Sequence, residues 1–157
     1  MNETPRANPR KTKSALKRPL LIALLLVLAV AAILAGRTDT TDTSDTITLG
    51  DTLYRIETAS TPEAQVKGLS GRSGLAAGTG MLFSYEDSSE HCMWMKDMKF
   101  NIDIVWFDDS QRITSIVPDL PPDTYPQSYC ARGKTVLELP AGTAAKHGLR
   151  VGQIIKF

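Results

Sequence analysis

Residues 91–108 read HCMWMKDMKFNIDIVWFD, and the fold turns on whether this stretch is a cluster of reactive groups or two strands and their connection. Successive side chains of an extended chain point to opposite faces. Read as a strand, Cys92–Lys96 sends His91, Met93 and Met95 to one face and Cys92, Trp94 and Lys96 to the other. Asp97 is a turn former. Ile102–Phe107 is apolar on both parities except at Asp103, which shares a face with Val105 and Phe107. A carboxylate in such a run is desolvated and demands a donor. Asp108, Asp109 and Ser110 then form a hairpin loop.

The same grammar extends in both directions. Met81–Tyr85, Arg112–Val117 and Val136–Leu139 have strand length and are bounded by Asp, Ser, Gly and Pro. Ile47–Leu49 and Leu53–Ile56 flank Gly50 and Asp51 as a hairpin. Ser60, Thr61, Pro62 and Glu63 open a helix, with either Ser60 or Thr61 as its cap; Val66 and Leu69 share one face, and Gly68 and Gly71 end it. Pro118–Lys134 carries four prolines and reads as a long irregular excursion. Thr143 is expected to cap a second short helix through His147, an imidazole suited to a helix C-terminus, with Ile154–Phe157 as a closing strand. Glu138, between Leu137 and Leu139, is expected to face outward. The predicted class is a β-rich α+β domain, a small barrel-like or rolled antiparallel sheet with two short helices.

The 157 residues carry a formal charge of +1, which excludes a general electrostatic reason to bind nucleic acid. That average hides a polarity. Arg6, Arg10, Lys11, Lys13, Lys17 and Arg18 lie in residues 1–18, ahead of the apolar run Leu20–Ala35. Setting those six bases and Glu3 aside leaves twelve of the eighteen bases and sixteen of the seventeen acids. Residues 19–36 are just long enough to span a bilayer, and the flanking bases place residues 1–18 in the cytoplasm. A cleaved signal peptide is the alternative, since Ala29, Val30 and Ala31 form an A-x-A pattern. Either way the domain is expected to be extracytoplasmic, periplasmic or at the cell surface. Residues 37–46, with TDTTDTSDT, read as a solvated linker, and residues 47–157 as the domain.

Three segments carry a resemblance: GLSGRSGLAAGTGMLFSY at Gly68–Tyr85, CMWMKDMKFNIDIVWFD at Cys92–Asp108, and VLELPAGTAAKHGLRVGQII at Val136–Ile155. The ordered series G-L-x-x-R, G-M-L-F, W-M-K, D-I and L-E-L-x-A-G resembles the family called domain of unknown function 192, found in bacteria and archaea and often behind a signal peptide or single anchor. The resemblance implies the fold and no assigned activity. Asn101 stands where the family pattern has proline, and Met93 where an aromatic is common.

Several candidate sites compete. Two cysteines in an oxidising compartment suggest a Cys92–Cys130 disulfide that pins the proline-rich excursion to a strand. His91, Met93 and Met95 form a soft-ligand set suited to Cu(I), although methionine is also ordinary core filler and no cofactor is required. Arg72, Trp94, Lys96, Asp97 and Asp103 are the polar set expected to converge. Arg72 and Lys96 are natural donors to Asp103, and a cleft there, with Trp94 as a wall, suits a small anionic ligand. The favoured function is a membrane-anchored binding or accessory module with a small polar cleft, its partner a small anion or an envelope protein. An enzyme using Lys96 and Asp103 as acid-base groups is the alternative.

Overall fold

A computed structural model describes residues 45–156. The basic head, the apolar segment 19–36 and the linker as far as residue 44 lie outside the described residues, as does Phe157. Among the described residues no helix is long and apolar enough to cross a membrane. The elements run β1 (Asp45–Leu49), β2 (Thr52–Ala59), α1 (Pro62–Lys67), β3 (Thr79–Ser84), β4 (Glu90–Trp94), β5 (Ile102–Phe107), β6 (Ile113–Leu120), a 3-10 turn (Pro122–Thr124), β7 (Ser128–Arg132), β8 (Thr135–Pro140) and α2 (Thr143–Lys146).

Six strands form one sheet in the order β1-β2-β3-β8-β5-β6, and β4 and β7 form a separate two-stranded ribbon. The sheet is mixed, because β2 and β3 run parallel while its other pairs are antiparallel. The expected rolled antiparallel sheet or barrel is therefore corrected to an open mixed sheet. The connection through α1 supplies the crossover that parallel pairing needs, and β1 and β6 end the sheet without pairing to each other. At the start of α1, the Thr61 hydroxyl accepts from the Ala64 N–H at 3.2 Å and Pro62 takes the first turn. Of the two possible caps, Thr61 is the one used.

The central strands β8 and β5 are buried on both sides, and their alternation feeds two cores. Leu137, Leu139, Val105 and Phe107 pack with Ile47, Leu49, Ile56, Ala144 and Leu149. Val136, Ile104 and Trp106 pack on the opposite face with Phe83, Leu69, Met93 and Met95. The ribbon covers this second face. In β4 the burial alternates as expected, with Met93 buried between exposed Cys92 and Trp94. The Trp106 indole N–H donates to the His91 carbonyl at 3.0 Å, fastening the ribbon to the sheet.

Three readings require correction. The stretch Pro118–Lys134 contains strand at both ends: β6 continues through Pro118 to Leu120, and Ser128–Arg132 forms β7. Proline is tolerated in β6 because it is an edge strand. Ile154 makes an isolated bridge to Arg112 in place of a closing strand. Finally, α2 is capped at Gly142, which adopts the left-handed conformation at φ 81° and makes no side-chain bond. The capping oxygens come from a distant strand, for Asp103 accepts from the N–H groups of Ala144 at 2.6 Å, Gly142 at 3.1 Å and Asp119 at 2.8 Å.

Cys92 and Cys130 are direct cross-strand partners and form a disulfide. Their sequence separation is 38, so replacing both with alanine is expected to lower unfolding free energy by about 4 kcal/mol through release of that loop. Urea denaturation measures it, and a loss below about 1 kcal/mol would show that the ribbon is held without the crosslink. Asp103→Asn retains one acceptor oxygen and turns an N–H toward a backbone donor. We expect a loss of about 2–4 kcal/mol, read from the same denaturation curves.

Candidate functional site

Glu138 lies at the centre of β8 with only 4% of its surface exposed. Its parity places it with Val136 on the face covered by the ribbon, opposite Ile104. The outward position expected for it is thus wrong. Both flanking parities of β8 are apolar, and a strand of that kind has no outward face. Gly80 of β3 allows the close approach that completes this environment, since a Cβ there would lie 2.9 Å from the Glu138 carbonyl oxygen.

Glu138 lines a half-open cavity of about 220 Å³. One wall is α1 and the loop after it, with Gln65, Val66, Lys67, Gly68, Leu69 and Ser70; the other is β4, with Cys92, Met93 and Trp94; Phe83, Tyr85 and Met98 are also in the lining. Val66 and Trp94, 66% and 42% exposed, form an apolar rim. Most polar groups around the space are satisfied within the protein. Gln65 Nε2 donates to the carbonyls of Ser84 and Ala59, the Ser70 hydroxyl donates to the Lys96 carbonyl at 2.8 Å, and the Tyr85 hydroxyl reaches Met93 Sδ at 3.8 Å. Glu138 differs: its Oε2 is buried without a hydrogen-bond partner. Burial pushes its carboxyl up from the ordinary 4.5 to about 8, against a smaller opposing pull from the Arg72 guanidinium. Burial, with the Glu138 charge second, also raises the Tyr85 phenol.

Of the residues expected to form a polar cleft, Trp94 is on the cavity rim. Arg72 acts on Glu138 electrostatically but closes both terminal nitrogens on Glu57, at 2.8 and 2.6 Å. That pairing holds the Glu57 carboxyl below its usual range. Lys96 is exposed, and Asp97 takes a positive φ of 57° in the turn whose carbonyl accepts from Gly71 N–H. Asp103 is on the opposite face of the sheet and bonded to the backbone amides already described, so its donors are main-chain groups and not Arg72 or Lys96. The soft-ligand set is engaged in packing. His91 stacks on Tyr85 with ring centroids 3.6 Å apart, and Met93 and Met95 are buried. Among the described residues, Glu90, Cys92 and Cys130 place ligand atoms within 4.8 Å of one another. Both sulfurs of that group are committed to the disulfide.

Because the folded-state pKa of Glu138 is raised, its contribution to stability is fully present below pH 4.5 and is lost as pH rises to about 8. The loss is on the order of 5 kcal/mol. Glu138→Gln, which cannot ionise, is expected to be less pH-sensitive and to exceed the wild type in stability by several kcal/mol at pH 9. Denaturation at pH 5, 7 and 9 tests this, and parallel curves for the two proteins would remove Glu138 as the source.

The chain matches a protein of unknown function from Novosphingobium aromaticivorans DSM 12444 at 28% identity and TM-score 0.63, covering 71% of this chain and 82% of that one. It also shares its fold with a "putative transcription regulator" from Sinorhizobium meliloti 1021, at 24% identity and TM-score 0.65, covering 71% and 89%. No curated protein matches. The profile of the DUF192 family, described as "Uncharacterized ACR", matches residues 45–157. With the motifs around Gly68, Phe83, Trp94 and Glu138 gathered on one cavity, and that profile spanning the domain, the chain belongs to the DUF192 family.

Proposed function

We propose that this domain is a ligand-binding module whose site is the cavity above Glu138, held outside the cytoplasm by residues 19–36. The observation that carries the reading is a buried carboxyl with an unpartnered oxygen on a residue that lines a half-open cavity. A buried polar group without a partner costs about 1–3 kcal/mol, and a bound molecule that supplies the missing bond removes that penalty. The apolar rim of Val66 and Trp94 provides surface for the rest of such a ligand. The disulfide between two exposed cysteines suits an oxidising compartment, in keeping with the basic segment 1–18 remaining inside.

The same carboxyl also suits acid-base catalysis, because a pKa of about 8 lies close to neutral pH. Binding is the better reading, since the Ser70 hydroxyl donates to a carbonyl and Cys92 is oxidised, which leaves no serine or cysteine nucleophile in the lining.

The full chain, extracted from the membranes of its own cells and examined by native mass spectrometry, is expected to retain a small molecule that Glu138→Leu loses. Retention of nothing by the wild type, or equal retention by the variant, would sink the binding reading. In spheroplasts of the same cells, added protease is expected to digest a tag placed after Phe157, and protection of that tag until the inner membrane is lysed would overturn the topology.

A further inference from the structure

The chemistry of the cavity narrows what it can hold. An anion finds no free cation beside Glu138, because Arg72, the base that acts on that carboxyl, is closed on Glu57 through both terminal nitrogens, and Lys67 lies on the exposed side of the space. A cation must pass Lys67, which lines the space on its exposed side, enter the field of Arg72, and induce Glu138 to ionise in a buried position. The remaining groups around the carboxyl are neutral: Phe83, Met93 and the Tyr85 phenol, the last already directed to Met93. Gln65 and Ser70 spend their donors on main-chain carbonyls. What is left is one protonated carboxyl, offering an O–H donor and a carbonyl acceptor side by side.

Resting on the reading of this cavity as a ligand site, we propose that it binds a neutral primary carboxamide, paired with Glu138 through two hydrogen bonds. The amide N–H₂ donates to one Glu138 oxygen while the amide oxygen accepts from the other; the carboxyl turns to bring its covered Oε2 to the cavity, and it is satisfied without any charge being created. The volume of about 220 Å³ accommodates the amide and a short carbon chain. The amide has two possible sources, a free small molecule or an asparagine or glutamine side chain of an extended polypeptide. The second is structurally open, because β4 pairs only with β7 among the described residues, and Cys92, Met93 and Trp94 all border the cavity.

Three probes of similar size and different charge test the proposal on the full-length protein in detergent: propionamide, propionate and propylammonium. The readout is the Trp94 indole resonance by NMR, with Trp94→Phe identifying the signal. Propionamide is expected to bind in the millimolar range, about tenfold or more ahead of both ions. Its affinity is expected to fall about tenfold between pH 7 and 9, following loss of the Glu138 proton. Glu138→Gln is expected to keep the amide and lose that pH dependence, whereas Glu138→Leu loses the amide.

Preference for either ion overturns the carboxamide assignment while leaving the cavity as a ligand site. Amide binding that is unchanged in Glu138→Leu overturns it as well. Failure of all three probes, together with an empty cavity by native mass spectrometry, removes the ligand site itself. A pentapeptide with a central glutamine identifies the source. Binding tenfold tighter than propionamide assigns a polypeptide, and equal binding assigns a small molecule.

Discussion

A carboxyl group inside an apolar sheet must either collect donors or give up its charge, and this domain contains one of each on adjacent strands. Asp103 and Glu138 lie on β5 and β8, which are paired, but a shift of one residue in register sends them to opposite faces. Asp103 gathers backbone N–H groups from the end of β6 and the start of α2. That arrangement satisfies the otherwise orphaned amides of a helix start and ties three chain segments to the middle of the sheet. Glu138 has no such amides within reach, and it stays neutral beside a space. One buried acid organises the fold, and the other marks the candidate site.

The second face depends on the ribbon. β4 and β7 share no strand pairing with the main sheet, so their position rests on Met93 and Met95 in the core and on the bonds from Trp106 to the His91 carbonyl and from the Thr114 hydroxyl to the Arg132 carbonyl, while the disulfide holds the two strands to each other. With the ribbon on one side and α1 on the other, the carboxyl of Glu138 is enclosed rather than solvated. Arg72, half exposed, contributes through its field, and solvent screening keeps its pairing with Glu57 a weak source of stability.

Local patterns made much of this legible. Alternation in Cys92–Lys96 identified the inward methionines, Pro62 after Thr61 marked the start of α1, and two cysteines in a chain with a basic head and apolar segment pointed to a disulfide. Other features escaped because local rules misdescribe them. β7 was hidden by the prolines before it, and Thr143 looked like a cap because a remote carboxylate doing that work leaves no local trace. Glu138 was the instructive case. Its flanking residues on β8 carried the signal, since apolar side chains on both parities imply a central strand in which an intervening acid is buried.

What the residues determined alone were short-range matters: where strands alternate, where turns fall, and the family to which the domain belongs. Only the tertiary structure decided which donors reach which acids. Desolvation and hydrogen bonding depend on what packs across a strand from distant parts of the chain, and for Asp103 those partners are backbone amides that carry no side-chain signature. For Glu138 the deciding fact is a missing partner, and the absence of a bond is a property of the assembled space, not of any stretch of sequence.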